Sequence, residues 1–306
     1  MIRTLLSALV LLLAVGCIAS PEETAHEPLP VVAWETALAE GPRVKVLPLV
    51  TGEIEVDRSF VLDFNHPNLE NRTDAKLWVP VVAYLVRHPT AGDFLVDTGF
   101  DHTFAESGHG NFGGVSFLAS FARQEKGNDT RALLESLGVD LSTLKMIVLS
   151  HMHTDHTSGL PDLPKNLPLI IGAGAQSSYG GPWYAPANHL AGFEKIQTLS
   201  LPGNGEALDL LGDGSVLVLP TPGHAAGNLS FLVRAEGGPA LLTCDASHTR
   251  EGFDLGVAPG GVEDRGAADK SLQSLRDFVS AHPEVRVKAG HEASDWDLSR
   301  GVQDPL

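Results

Sequence analysis

The amino-acid sequence predicts an α/β protein of α+β character, a layered sheet sandwich flanked by helices. Three observations lead there. Nine short apolar runs, many of them β-branched, alternate with turn residues in a chain holding 32 Gly and 20 Pro. Two amphipathic helical patterns follow the strand groups, one in each half. A hydrophobic content of 43% over 306 residues suffices for one large globular domain with a sizeable core.

In chain order, the strand-like runs cover 44–50, 77–87 (LWVPVVAYLVR), 93–96, 145–149, 169–171, 216–219, 229–233, 240–242 and 285–288. The run at 145–149 is apolar throughout its second half, as a strand buried on both faces would be. A helix is expected over 130–137, with Leu133, Leu134 and Leu137 on one face and Gly138 as its stop. A second is expected over 267–281, with Leu272, Leu275, Phe278 and Val279 at helical spacing, ending before Pro283. The stretch 101–128, with Gly108, Gly110, Gly113 and Gly114 and the phenylalanines 104, 112, 117 and 121, is too long for a simple connection. It reads equally as a functional lid or as a surface excursion whose aromatics pack on the core.

The N-terminus carries Arg3, an apolar run over 5–15 too short for a normal spanning helix, and then Ala14-Val15-Gly16-Cys17. This resembles a lipoprotein signal over 1–16, with Cys17 lipidated, and implies export and a membrane anchor. The alternative is a secretory signal cleaved near Ala19 or Ser20. Residues 17–42, rich in Pro, Glu and Ala, read as a flexible tether. The globular domain then spans 43–306. If Cys17 bears lipid, Cys244 has no disulfide partner; it reads as a buried, inert thiol. The formal net charge of −17 repels nucleic-acid phosphates, so no broad nucleic-acid surface is expected, while a small ester substrate stays compatible.

The chemistry concentrates in Ser150-His151-Met152-His153-Thr154-Asp155-His156, directly after the strand at 145–149. His151 and His153, two apart on a loop, can face one ion, and Asp155 and His156 a second. Three more residues of metal-binding type, His224, Asp245 and His291, each lie just past the end of an expected strand. A site assembled at one edge of a sheet requires that shared placement. The remaining histidines read as structural: His26 in the tether, His66 and His88 before prolines, His282 at a helix end, and His102, His109 and His189 near the cleft without a ligand role.

With Asp97-Thr98-Gly99 ahead of the cluster, the chain from Asp97 to His291 resembles the metallo-β-lactamase superfamily. The resemblance implies an αββα sandwich with a dinuclear centre holding two divalent ions, zinc first among them. It implies His151, His153 and His224 on one ion, Asp155, His156 and His291 on the other, and Asp245 between them. Asp97 would orient ligands. The segment 79–100 and Gly223-His224 with Gly227-Asn228 are most similar to the N-acyl homoserine lactonases, whose substrate-contacting Tyr three residues after the bridging Asp is replaced by His248.

The expected activity is therefore the opening of a lactone or related small ester, with Asp155 moving a proton and His248 holding the carbonyl oxygen. Phe112, Phe117 and their neighbours, with Trp183 and Tyr184, are expected to line an acyl channel. Two alternatives stay open. One is a thioester hydrolase like glyoxalase II, disfavoured because the 15 residues after His291 (306 − 291) carry Arg300 as their sole basic residue. The other is a metal-binding module without catalysis.

Overall fold

A computed structural model of the chain describes residues 21–34, 40–69, 73–113, 121–178, 189–203 and 205–306. Its strands are β1 (Glu22–Ala25), β2 (Val31–Ala33), β3 (Lys45–Asp57), β4 (Lys76–His88), β5 (Gly92–Val96), β6 (Phe121–Arg123) and β7 (Ile147–Val148). The second half adds β8 (Leu169–Gly172), β9 (Lys195–Leu199), β10 (Glu206–Asp209), β11 (Val216–Pro220), β12 (Leu229–Val233), β13 (Ala240–Cys244) and β14 (Arg286–Ala289). The α-helices are α1 (Arg58–Val61), α2 (Thr130–Ser136), α3 (Thr154–Thr157), α4 (Arg250–Leu255) and α5 (Arg265–Ala281).

Two mixed sheets form, in the orders β1-β9-β8-β7-β5-β4-β3-β6 and β14-β13-β12-β11-β10-β2. Period-two alternation divides each strand between two layers. Val46, Tyr84, Phe94 and Val148 of the first sheet meet Val218, Phe231 and Leu242 of the second in a shared core. The opposite face of the first sheet, with Leu47, Leu85, Leu95 and Ile147, packs on Leu133 and Leu134 of α2. That of the second sheet, with Leu217, Leu232 and Leu241, packs on Leu272, Leu275 and Phe278 of α5. The result is the αββα layering expected from the sequence.

Both long helical patterns are real, and their ends follow from their residues. Asp129 accepts a hydrogen bond from the Ala132 amide and starts α2, which closes at Gly138 (φ 71°). Asp264 caps α5 in the same way through the Ala267 amide. Fully burying a side chain such as Leu134 or Leu275 stabilises the layer by about 1.5–3 kcal/mol each.

Several boundaries differ from the expectation. β3 extends to Asp57 rather than stopping at 50, because β4 pairs with it as far as Asp57↔Lys76. β6, β9 and β10 and the helix α4 carry too few apolar residues to declare themselves. The tether expected over 17–42 is not free across residues 21–34. β1 pairs in parallel with β9, β2 pairs antiparallel with β10, and Trp34 is buried edge-to-face against Phe278. These strands are held by backbone bonds at sheet edges and leave most of their side chains exposed, so their composition looks like linker. The expected signal segment, with Cys17, lies outside the described residues. Among the described residues no helix is long and apolar enough to cross a membrane.

Candidate metal centre

The candidate residues sit beyond the C-terminal ends of five strands. Asp97 follows β5, Ser150 to His156 follow β7, His224 follows β11, Asp245 follows β13, and His291 follows β14. Two of these turns are strained. Asp97 (φ 57°) and Cys244 (φ 45°) are the only non-glycine residues with positive φ among those described. Such backbone costs of order 1–3 kcal/mol and persists where surrounding structure over-determines it. Gly290 is required for a different reason: a Cβ there would lie 2.5 Å from the Cys244 carbonyl oxygen and 2.8 Å from Asp245 Oδ1.

Asp245 is the hub. Its Oδ2 stands 3.2 Å from His224 Nε2, 3.3 Å from His291 Nε2 and 3.6 Å from His151 Nε2. Its Oδ1 stands 3.4 Å from His156 Nε2. His153 Nδ1 lies 2.9 Å from His224 Nε2. On the other side Asp155 Oδ2 is 3.5 Å from His156 Nε2 and 3.4 Å from His291 Nε2. Donor atoms of His151, His153, His224 and Asp245 therefore cluster within 4.8 Å, as do those of Asp155, His156 and His291. All seven residues named from the sequence come together. His102, His109 and His189 lie outside these clusters; His102 bonds Asp162 instead.

An outer ring of partners aims the imidazoles inward. His156 Nδ1 is 2.8 Å from Asp97 Oδ2, and His291 Nδ1 donates to the Pro80 carbonyl at 2.8 Å. The Ser150 hydroxyl donates to Asp97 Oδ2 and meets His151 Nδ1 at 3.0 Å. Each contact occupies the outward nitrogen and leaves Nε2 facing Asp245, the arrangement that fixes a metal-binding tautomer. In the sequence Ser150 stood in the motif without a role, and Pro80 had none either. Ser150 immediately precedes His151 and had a signal of position; a backbone carbonyl has none.

Charge and burial point the same way. Burial drives His151 and His153 well below the ordinary histidine value, reinforced by neighbouring imidazoles. Burial acts likewise on His156 and His291, but the carboxylates of Asp245 and Asp155 outweigh it, lifting His156 well up and His291 to about 9. Burial would raise Asp245, yet the surrounding imidazoles, His291 first, hold it well below the usual carboxylate range. The buried carboxylates thus demand compensating positive charge. His151 Nε2, His156 Nε2 and Asp245 Oδ1 are buried at the centre with no hydrogen-bond partner. Buried polar atoms rarely go unsatisfied. An imidazole and carboxylate donor set of this kind fits zinc and related divalent ions.

A cleft of about 540 Å³ opens onto this cluster. Its apolar walls are Ile54, Val56, Phe60, Val61, Val79 and Val262, and Glu55, Asp57, Lys76 and Glu263 also line it. Phe60 is 45% exposed and stacks on His248 at 5.9 Å. The residues expected to line an acyl channel are therefore not those that wall this cleft. Phe104 and Phe112 are buried against Phe100, Val81 and Ala122 and do not border the cleft. Phe121 lies on the edge strand β6, and Phe117, Trp183 and Tyr184 fall outside the described residues. Phe60 was missed because it sits in a stretch without periodicity between two strands.

The model of the metallo-β-lactamase superfamily matches residues 77–291. Among curated proteins, the chain is 29% identical over 223 residues to the N-acyl homoserine lactonase AttM of Agrobacterium fabrum, covering 71% of this chain and 84% of that protein. It is 30% identical over 239 residues to an N-acyl homoserine lactonase of a Bacillus species, covering 76% and 89%. Among solved structures, a B. thuringiensis AiiA variant with N-decanoyl-L-homoserine bound at its active site superposes with a TM-score of 0.70 at 24% identity, covering 83% of this chain and 96% of that one.

Proposed function

Since the chain belongs to the metallo-β-lactamase superfamily, we propose that it is a metal-dependent hydrolase that opens lactone rings, with N-acyl homoserine lactones as its substrate class. The observation that carries this reading is the cluster of six donor side chains around Asp245 at the floor of a cleft with a largely apolar wall. The relatives that are lactonases by name lend it support.

In this reading His151, His153 and His224 hold one divalent ion, Asp155, His156 and His291 hold the other, and Asp245 is shared. When bound, such a pair supplies Lewis acidity toward a carbonyl oxygen and acidifies water to near neutrality. The chain's own residues do the rest. Ile54, Val56, Phe60 and Val262 take the apolar acyl chain and strip water from it. Asp155, whose side chain keeps 13% of its surface open beside His156 and His291, takes a proton from the attacking water, whose oxygen joins the carbonyl carbon, and hands that proton to the ring oxygen as the ring carbon–oxygen bond breaks. Asp97 and Ser150 keep His156 and His151 from turning. His248 receives no substrate contact in this scheme, because its Nε2 is directed at Asp245 Oδ2.

The test is a hydrolysis panel on metal-analysed protein: lactones of graded acyl length beside a thioester and a β-lactam. Lactone opening that chelation abolishes and zinc restores is the expected result. Turnover of the thioester alone, or full metal loading without turnover of any member, overturns the reading.

A further inference from the structure

Beyond the seven residues assigned above lies an eighth donor. His248 is buried, 1% exposed, and its Nε2 lies 3.1 Å from Asp245 Oδ2. That separation matches those of His224 (3.2 Å) and His291 (3.3 Å) from the same oxygen. Its ring stands 5.0 Å from each of the rings of His224 and His291, edge-on to both. Donor atoms of Asp245, His248 and His291 fall within 4.8 Å of one another.

A hydrogen bond from His248 to Asp245 does not account for this crowding. A carboxylate oxygen has two lone pairs. Four imidazole nitrogens, from His151, His224, His248 and His291, approach Oδ2 within 3.6 Å. They cannot all donate to it, whereas nitrogens gathered at this spacing around one oxygen are what a shared coordination shell produces. Local structure also fixes His248 there. The His291 amide donates to the His248 carbonyl at 2.8 Å, and the Gly290 amide to that of Ser247 at 2.9 Å, so backbone bonds tie the two loops together. Phe60 covers the ring from the cleft side, with an interplanar angle of 23°.

We propose that His248 is itself a metal ligand, giving the centre six imidazoles rather than five. This rests on the reading of the cluster as a metal centre and adds a residue to it. The consequence is a more nitrogen-rich centre, in which the His248 Nε2 is taken up by the centre and is not an open hydrogen-bond donor for the substrate carbonyl.

The experiment uses the full chain loaded with cobalt(II). Hyperfine-shifted, solvent-exchangeable imidazole N–H resonances are counted by proton NMR in the wild type, and zinc affinity is measured by chelator competition in the wild type, His248→Phe and His248→Gln. Six N–H signals in the wild type, one of them lost in whichever variant folds, with at least a tenfold fall in affinity for one ion, is the expected result. Five signals in the wild type overturn the assignment, even if the variants bind zinc more weakly, since His248 would then act through Asp245. A wild-type chain that binds no cobalt or zinc removes the metal centre itself, and that outcome is distinct from five signals in a loaded protein.

Discussion

Asp97 Oδ2 and His156 Nδ1 stand 2.8 Å apart, both buried, and the same carboxylate takes the Ser150 amide and hydroxyl at 2.7 and 2.8 Å. One residue thus braces both halves of the centre: His156 directly, and His151 through Ser150. Asp97 adopts φ 57°, a conformation that Asn also tolerates, so Asp97→Asn removes the charge without forcing the backbone to move. The variant is expected to lose roughly 10- to 100-fold in metal affinity, the usual effect of removing a group that orients a ligand. Metal content after dialysis against a weak chelator checks this; undiminished metal binding would show that Asp97 only shapes the turn.

How much of this was legible in the sequence follows from the range over which each signal acts. His151 to His156 declare themselves locally, and His224, Asp245 and His291 do so because each follows an apolar run that becomes a strand end. Leu133 and Leu134, and Leu272 to Phe278, announce α2 and α5 through their spacing. What stayed hidden depends on pairing partners. β1 and β2 are strands only because β9 and β10 offer their edges. The cleft wall at Phe60 is set by the approach of Gly261, whose absent side chain leaves room for its ring; a Cβ there would fall 2.1 Å from Phe60 Cε2. Length and composition left 101–128 open between a lid and an excursion whose aromatics pack on the core; in its described part Phe104 stacks on Phe100 at 3.9 Å and Phe112 is buried beside them, as the second reading has it.

Metal removal should be felt in stability as well as in activity. His151 Nε2, His156 Nε2 and Asp245 Oδ1 are buried without a hydrogen bond. An ion present at about 100 times its dissociation constant adds about 2.7 kcal/mol per site. For a domain of this size that corresponds to roughly 5–10 °C in melting temperature per site. Thermal scans of chelator-stripped protein against zinc-reloaded protein measure the difference, and His151→Ala should abolish part of it. Superimposable scans would mean that zinc does not bind the folded chain.

Phe60 supplies the largest exposed apolar surface of the cleft. Phe60→Ala is expected to weaken turnover of long-acyl lactones by about 10-fold or more, through an apolar contact worth roughly 1–3 kcal/mol, and to leave the shortest acyl chain nearly unaffected. Comparing kcat/KM across acyl length for both proteins checks it. An equal loss on every substrate would assign Phe60 to holding His248 instead.

The N-terminal segment should contribute to stability although its composition reads as linker. Trp34 is 7% exposed and meets Phe278 of α5 edge-to-face, at 5.9 Å and 89°. Trp34→Ala is expected to cost about 3–5 kcal/mol, as for other buried aromatic truncations. Val31, 53% exposed on the edge strand β2, should tolerate Ala within about 0.5 kcal/mol. Urea denaturation of the two variants separates these outcomes, and equal midpoints would mean that the segment is not docked in solution.

His189 contributes to the acid limb of the stability profile. Its ring is fully buried, 2.8 Å from Thr157 Oγ1, with Nε2 3.3 Å from the Asn111 carbonyl. Burial lowers its pKa to about 4, the Asn111 carbonyl opposing and the Lys165 charge adding. The unfolded chain binds this proton near pH 6.5 and the folded chain only near 4, so the unfolded state carries more protons between those values. Stability from this group is complete above about pH 6.5 and drains away as the pH falls toward 4, by roughly 3 kcal/mol in all. His189→Gln cannot take up the proton. Its unfolding free energy should therefore fall less steeply than that of the wild type between pH 6.5 and 4, with the two profiles parallel above pH 7. Parallel profiles throughout would mean that His189 is protonated in the fold or reaches water.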